Sequence, residues 1–254
     1  MAVPPSPDVT PRDPAAVTVA AFDFDGTLTN GGSVYAFLVA LRGHVTVLRA
    51  VARMAPALLR AALTSGTAAD DTKERLFSRL LGGLSETDVD ARAARFAQRH
   101  LAHHQRADTL ARLDWHRRQG HHIVIVSASP EVYVRPAGEQ LGVDGVVATR
   151  LAVGGGGLLT GGYEGKNCRG AEKYARLIVH LRQQGLLEGN GGDRQPTLWA
   201  YGNSRGDLRL LNAADHGVDC GKLGPLGRLR RFPRLDQLDG GVDGSRHEAP
   251  TEAH

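Results

Sequence analysis

The stretch from Val19 to Thr29 reads VAAFDFDGTLT, an apolar run that ends in two aspartates one residue apart. A run that is apolar at successive positions predicts a strand buried on both faces, as in the centre of a parallel sheet. Asp23 and Asp25 then lie at or just beyond the carboxyl end of that strand, where open α/β sheets bind their ligands. Two such close carboxylates repel each other unless a cation, a proton or hydrogen-bond donors compensate them. Taken alone, the stretch also fits a strand followed by a simple turn.

The composition is that of a globular protein with a substantial core. The 254 residues are 41% hydrophobic and 23% charged, and the formal net charge is +4. No basic block is long enough to indicate nucleic-acid binding, and no apolar stretch is long enough to span a membrane. The two cysteines lack metal-binding spacing, and the N-terminal residues lack an apolar signal segment, so we expect a cytoplasmic protein.

The order of predicted elements indicates an α/β core that carries a helical insertion. We predict a core of residues 17–30 and 108–238 and a helical cap of residues 31–107. The Pro-rich residues 1–16 and the Gly-rich, polar residues 239–254 are expected to be disordered.

The predicted insertion consists of helix over about seventy residues, far more than a simple crossover between two strands needs. The first helical stretch runs from Val34 to about Leu63, with Ser33 as its N-cap and a kink at Pro56. A second helix spans residues 71–81, and Ser85 opens a third with a capping-box-like pattern.

Two later apolar runs, residues 122–126 and 197–202, predict further buried strands, each followed by polar side chains. Alternating strands and helices predict a doubly wound parallel sheet, whose strands have their carboxyl ends at one edge. A lysine near the start of another predicted helix can join the same edge. The side chains expected to converge with the two aspartates are Ser127, Lys173, Asn203 and Asp207.

This set of groups suits the transfer of a phosphoryl group. A carboxylate can attack phosphorus and form an acyl phosphate. Magnesium prefers hard oxygen ligands and reduces the repulsion between an anionic nucleophile and an anionic phosphate. An ammonium and a hydroxyl can hold the remaining phosphate oxygens.

The residues also resemble the four motifs of the haloacid dehalogenase (HAD) superfamily. The motifs are Asp-Phe-Asp-Gly-Thr, the serine at the end of the second strand, Lys173, and Gly-Asn-Ser-x-Gly-Asp from Gly202. The helical insertion after the first motif looks like the C1-type cap of that superfamily. Residues 167–173 are similar to subfamily IB, which includes phosphoserine phosphatases and HAD-type phosphatidylglycerophosphatases. The resemblance covers about residues 18–235.

The resemblance implies a role for each motif residue. Asp23 would be the nucleophile, and Asp25 would protonate the leaving oxygen and then activate water. Ser127 would bind the phosphoryl group and Lys173 would neutralise it. The cofactor implied is Mg²⁺, with the ligands Asp23, the backbone carbonyl of Asp25, Asn203 and Asp207.

One motif residue departs from the family pattern. The fourth motif commonly begins Gly-Asp, whereas this chain has Gly202-Asn203. A neutral amide oxygen can ligate a metal but contributes no charge, so we expect weaker metal binding. Asp207 would then supply more of the negative charge.

Several alternatives remain open at the level of sequence. Lys166 competes with Lys173 as the phosphate-binding lysine, and the family pattern favours Lys173. The expected function is a phosphomonoester hydrolase; a phosphotransferase of the same fold, or a catalytically weak regulatory protein that binds a phosphorylated ligand, are the alternatives.

The sequence indicates the class of substrate only as a small phosphorylated metabolite or a lipid phosphate. Nothing in the sequence indicates nucleic acid or a protein partner. The apolar, arginine-containing residues 34–63 fit either ordinary cap core or an element that lies on a membrane surface.

Overall fold

The computed structural model describes residues 17–63, 67–187, 195–221 and 232–238. The disorder predicted for residues 1–16 and 239–254 concerns segments that lie outside the described residues. The division into core and cap at residues 31 and 107 stays a prediction.

A five-stranded parallel sheet has the strand of the first motif at its centre. The strand order is β3-β2-β1-β6-β7, and every pairing in it is parallel. The strands are β1 (Thr18–Phe22), β2 (His122–Pro130), β3 (Gly145–Thr149), β6 (Thr197–Gly202) and β7 (His216–Asp219). The predicted doubly wound parallel sheet is therefore confirmed.

Helices cover both faces of this sheet, because successive residues of each central strand point to opposite sides. Ala20 and Phe22 of β1 pack on one face, and Val19 and Ala21 pack on the other. The helices outside the insertion are α5 (Ala107–Arg118), α6 (Glu131–Leu141), α7 (Ala171–Gln183), α8 (Leu208–Ala213) and α9 (Leu235–Leu238). Leu113 of α5 and Val134 of α6 belong to the first face, and α7 and α8 cover the second. The two apolar faces keep the central strands buried.

Four helices, called here the insertion helices, lie between β1 and α5 in the chain. They are α1 (Val34–Arg42), α2 (His44–Leu63), α3 (Thr67–Leu81) and α4 (Glu86–His104). Helix α4 packs on α6, and α3 packs on β5 (Leu159–Tyr163), which pairs antiparallel with β4 (Leu151–Val153). The insertion helices therefore contact elements that come before and after β3 in the chain.

The structure differs from the sequence-based expectations at three places. The long first helix is divided at Gly43, whose φ of 77° is a left-handed conformation that glycine adopts at no steric cost. The helix predicted at residues 71–81 begins earlier, at Thr67. Ser33 is at the N-cap position, but its hydroxyl forms no capping hydrogen bond and instead pairs with the Tyr133 hydroxyl at 2.8 Å.

The predicted cap at Ser85 is present, because its hydroxyl accepts a hydrogen bond from the backbone N–H of Asp88 at 3.5 Å. Within the described part of the chain, no helix is long and apolar enough to cross a membrane.

Candidate active site

Asp23 continues the line of β1 directly into a tight turn. Its backbone N–H donates to the carbonyl of Tyr201 in β6 at 2.9 Å, so the sheet fixes its position. The Thr27 hydroxyl donates to Asp23 Oδ2 at 3.2 Å. Gly26 closes the turn with a φ of 79°, and Thr27 is fully buried. The buried carboxylate of Asp23 is thereby held at the carboxyl edge of the sheet.

Lys173 lies between two carboxylates at this edge. It belongs to the first turn of α7, and its residue is only 1% exposed. Its Nζ lies 2.5 Å from Asp23 Oδ1 and 2.6 Å from Asp207 Oδ1. Lys166 is exposed, and its backbone carbonyl accepts a hydrogen bond from the Arg176 guanidinium. Of the two competing lysines, the structure brings Lys173 to Asp23.

Asp207 joins the lysine to the loop that follows β6. Its Oδ2 accepts hydrogen bonds from the backbone N–H groups of Asn203 and Ser204 and from the Ser204 hydroxyl, at 2.8–3.2 Å. With Lys173 at Oδ1, four donors in all hydrogen-bond to this carboxylate, and three of them share Oδ2. These contacts hold Lys173 and the loop after β6, and the metal-ligand role implied for Asp207 stays a prediction.

Asp25 points to a pair of serines from two other segments. Its Oδ2 accepts a hydrogen bond from the Ser129 hydroxyl at 2.5 Å, and its Oδ1 accepts from the backbone N–H of Ser33 at 2.9 Å. Ser127, at the end of β2, is buried, and its Oγ accepts from the backbone N–H of Ser129 at 3.1 Å. The side chains of Asp23 and Asp25 thus have different environments: Asp23 lies beside an ammonium, and Asp25 accepts from a hydroxyl and a backbone N–H.

Burial dominates the electrostatics of the Asp23 cluster. Loss of solvent raises the pKa of Asp23 to about 7, with the Asp207 carboxylate acting in the same direction and Lys173 opposing it. Burial alone would lower the pKa of Lys173, but the carboxylates of Asp207 and Asp23 outweigh it and raise that pKa. Two carboxylates and one ammonium leave an excess of negative charge in a buried site. An added cation would offset that excess.

The donor set around Asp23 fits a hard divalent cation. Within residues 17–63, 67–187, 195–221 and 232–238, no three His, Cys, Asp or Glu side chains are grouped as a metal site. Among the oxygens that the motifs supply are the Asp23 carboxylate, the Asp25 carbonyl and the Asn203 amide. A Cβ on Gly26 would come within 1.9 Å of Asn203 Nδ2, so that amide lies directly over the first-motif turn. One carboxylate with neutral oxygens is a donor set that suits Mg²⁺, which keeps several waters.

The six residues predicted from the motifs therefore meet at one edge of the sheet, in two hydrogen-bonded groups. Sequence reasoning missed Thr27, Ser33 and Ser129, which hydrogen-bond to the two aspartates. For Ser129 a signal was available, because residues two apart on a strand point to the same side and Ser127 was already selected. The sequence indicated Ser33 only as an N-cap, because the partner of its hydroxyl, Tyr133, is 100 residues away.

The sequence is similar to a known family profile and to a known protein. The sequence profile of haloacid dehalogenase-like hydrolases matches residues 20–212. The CicA protein of Caulobacter vibrioides (strain NA1000 / CB15N) is 34% identical over 197 residues, which cover 78% of this chain and 83% of that protein.

Two solved structures share the fold at lower identity. A protein of unknown function from Bordetella pertussis Tohama I superposes with a TM-score of 0.71 at 22% identity, covering 88% of this chain and 100% of that one. A substrate-bound phosphoserine phosphatase superposes with a TM-score of 0.56 at 20% identity, covering 88% and 96%. Because the family profile spans most of the chain and CicA is similar over a comparable length, the chain belongs to the haloacid dehalogenase-like hydrolase family.

Proposed function

We propose that this protein is a Mg²⁺-dependent phosphomonoester hydrolase that forms a phospho-aspartate at Asp23. The observation that carries the proposal is the buried ammonium of Lys173, 2.5 Å from Asp23 Oδ1 and 2.6 Å from Asp207 Oδ1. An ammonium fixed beside a carboxylate, at the edge where three strands end, is suited to hold a phosphoryl group against a nucleophile.

In the first half of the proposed reaction, an Asp23 oxygen attacks phosphorus and the bond from phosphorus to the ester oxygen breaks. The leaving alkoxide takes a proton from the Asp25 carboxyl, which becomes a carboxylate. The Ser129 hydroxyl and the Ser33 N–H orient that carboxyl through its two oxygens. In this scheme the two aspartates never exchange roles.

In the second half, the Asp25 carboxylate takes a proton from water, and the resulting hydroxide attacks phosphorus. The bond from phosphorus to Asp23 breaks, which releases inorganic phosphate and restores both carboxyl groups to their starting forms. Throughout, the Ser127 hydroxyl and the Lys173 ammonium donate to the non-bridging phosphate oxygens.

The residues that would hold Mg²⁺ are Asp23, the backbone carbonyl of Asp25, and Asn203. When bound, the ion supplies charge neutralisation between the nucleophile and the phosphate. Asp207 fixes Lys173 and the backbone of Asn203, and we keep it as a further candidate ligand of the ion.

Support for a phosphatase, rather than another hydrolase of the family, comes from two sources. An aspartate two residues after the nucleophile supplies an acid and base for ester cleavage. One solved structure of the same fold is a phosphoserine phosphatase with bound substrate. The insertion helices pack beside the site, and we propose that they act as its cap and select the alcohol part of the ester.

Removal of divalent metal provides the first test of this function. Treatment with EDTA is expected to reduce hydrolysis of p-nitrophenyl phosphate to the rate without enzyme, and excess Mg²⁺ is expected to restore it. The reason is that the Asp23 carboxylate and the phosphate repel each other when no cation lies between them. Undiminished hydrolysis after complete chelation would contradict the magnesium part of the proposal. No hydrolysis of any phosphomonoester with Mg²⁺ present would contradict the enzymatic function itself.

Replacement of Asn203 by aspartate tests the expectation that the neutral Asn203 side chain weakens metal binding. In Asn203→Asp the added charge is expected to lower the Mg²⁺ concentration for half-maximal activity by roughly tenfold. The same change adds a third carboxylate beside Asp23, so the metal-free variant is expected to unfold at a lower temperature. Mg²⁺ titration of activity, and thermal unfolding in EDTA, measure the two effects. If the Mg²⁺ concentration for half-maximal activity is unchanged, Asn203 is not a ligand of the metal.

A further inference from the structure

One side of helix α2, called here the outer face, carries apolar side chains and arginines together. At 3.6 residues per turn, the members of this face fall within an arc of about 140° around the helix axis. They are Val45, Leu48, Arg49, Ala52 and Arg53, and all five are exposed. The exposed fractions of Val45 and Leu48 are 60% and 63%. The outer face is therefore open to solvent although it carries two large apolar side chains.

The stretch of sequence that contains α2 has positive charge and no negative charge. No Asp or Glu occurs in residues 26–69, which include the arginines Arg42, Arg49, Arg53 and Arg60. In the whole chain, by contrast, 31 Lys and Arg are nearly balanced by 27 Asp and Glu. Because the charge of this stretch is not compensated by acidic residues within it, it favours an anionic partner over a neutral one.

A cavity between α2 and α3, called here the arginine cavity, adds cations at the border of the outer face. Its volume is about 480 Å³, and among the described residues it is lined by Met54, Ser78 and three arginines, Arg53, Arg75 and Arg79, with no carboxylate. Arg75 and Arg79 are exposed and lie one turn apart on α3, whereas Arg53 belongs to both the cavity and the outer face. Three guanidinium groups around one cavity are suited to phosphate, which accepts paired hydrogen bonds from each.

The arginine cavity is separate from the active site. Lys73, on the same helix, donates from Nζ to the backbone carbonyl of Ala128, next to Ser127. At 100° per residue, Arg75 lies about 160° from Lys73 around the axis of α3, and Arg79 lies about 120° from it. The arginines of the cavity therefore point away from the end of β2, and the proposed chemical steps do not use them.

We propose that the outer face of α2 and the arginine cavity form a docking surface for a bilayer of anionic phospholipid. Val45 and Leu48 enter the boundary between headgroups and acyl chains, and the arginines bind the lipid phosphates. The arginines reach those phosphates because their long side chains extend past the apolar ones to the headgroup level. The inference goes beyond the proposed hydrolysis and does not depend on it.

The charges and the shape of this surface favour a bilayer over a protein. A second copy of the chain would bring its own arginines against Arg49 and Arg53, and like charges repel. A partner protein commonly anchors its apolar side chains in a pocket, whereas the apolar side chains here project from the convex side of a single helix. A bilayer surface needs no pocket and supplies many phosphates at once.

Vesicle flotation with the full-length protein tests the inference. The vesicles consist of phosphatidylcholine alone, or of phosphatidylcholine mixed with an equal part of phosphatidylglycerol. The apolar variant combines Val45→Ser and Leu48→Ser. The charge variant combines Arg53→Gln, Arg75→Gln and Arg79→Gln. Thermal unfolding of each variant without vesicles is expected to match the wild type, because the altered side chains are exposed.

Each variant has a control of the same chemistry outside the insertion helices. Val179→Ser alters an apolar side chain on α7 that is 51% exposed. A second triple variant removes three exposed arginines and so lowers the net charge by the same amount as the charge variant; it combines Arg118→Gln, Arg135→Gln and Arg182→Gln. Both controls are expected to retain most of the wild-type binding.

We expect the wild type to bind the mixed vesicles, to bind phosphatidylcholine alone far more weakly, and to dissociate as salt is raised. A basic residue close to an anionic surface contributes about fivefold to the partition coefficient, so the charge variant is expected to lower it by about 100-fold. Loss of the two exposed apolar side chains is expected to lower it by about tenfold.

Several results would overturn the docking surface. They are a wild type that does not bind the mixed vesicles, binding that the charge variant or the apolar variant leaves unchanged, and an equal loss in the two triple variants, which would mean that net charge alone attracts the protein. Stabilisation by inorganic phosphate that requires Arg53, Arg75 and Arg79, without vesicle binding, would assign the cavity to a free anion instead. A dimer that the apolar variant dissociates would assign the outer face to a second copy. Specific vesicle binding by a protein that hydrolyses no phosphomonoester would support this inference and contradict the proposed function alone.

Discussion

Asp23→Asn is expected to lower kcat for p-nitrophenyl phosphate by at least about 10⁴-fold, as removal of a nucleophile does in other enzymes. The amide keeps the shape of the side chain and can still accept the hydrogen bond from Lys173. It cannot attack phosphorus, and it removes the carboxylate from the expected metal ligands. Steady-state rates with saturating Mg²⁺ measure the effect.

The same variant is expected to be at least as stable as the wild type. Asp23 and Asp207 share one ammonium in a buried site, so replacing one carboxylate by a neutral amide relieves repulsion. Thermal unfolding without metal measures this difference. Asp114→Asn is the matched control, because it changes a largely exposed carboxylate on α5 that pairs with Arg117 and is expected to retain wild-type activity. An Asp23→Asn protein that is folded and retains a tenth of the activity would exclude Asp23 as the nucleophile.

Lys173→Met is expected to affect both activity and folding. Loss of the ammonium removes a donor to the transferred phosphoryl group, and a loss of about 10²–10³-fold in kcat is typical for one such donor. It also leaves Asp23 and Asp207 buried without a cation, and breaking a buried ion pair in this way costs about 3–5 kcal/mol in the free energy of unfolding. Chemical denaturation and initial rates measure the two effects.

The competing lysine supplies the control for this variant. Lys166 is exposed and its carbonyl, not its side chain, is bonded to Arg176, so Lys166→Met is expected to change neither quantity appreciably. Loss of activity in Lys166→Met with retention in Lys173→Met would reverse the assignment. A Lys173→Met protein as stable as the wild type would show that the ion pairs at 2.5 and 2.6 Å contribute little to folding.

The sequence was sufficient to predict the sheet and the edge at which the site forms. Continuous apolar runs such as residues 19–22 and 123–126 predict central parallel strands, and parallel strands have their carboxyl ends at one edge. From that rule and the motif spacing, we predicted that Ser127, Lys173 and Asp207 lie close to Asp23 and Asp25. Membership in the haloacid dehalogenase-like hydrolase family, suggested by those motifs, is confirmed by the family profile.

What the sequence could not predict depends on contacts between distant segments. The pairing of Ser33 with Tyr133 and the contact of Lys73 with Ala128 join residues 100 and 55 positions apart, and neither has a local signal. The resemblance implied a metal-ligand role for Asp207, which stays a prediction, but it did not indicate which donors hold that carboxylate. Which donors surround a carboxylate is decided by the fold of the loop after β6, and there four donors occupy it.

Chemical trapping of the phosphorylated enzyme tests the central claim most directly. The protein is mixed with Mg²⁺ and a phosphomonoester that it hydrolyses, quenched in acid during turnover, and treated with borohydride, which reduces an acyl phosphate to an alcohol. Mass spectrometry of the peptides then locates the reduced residue. We predict that homoserine is found at position 23, that it forms only when substrate is present, and that it is absent from Asp23→Asn. Reduction at another aspartate, or active turnover with no reduced residue at position 23, would contradict it.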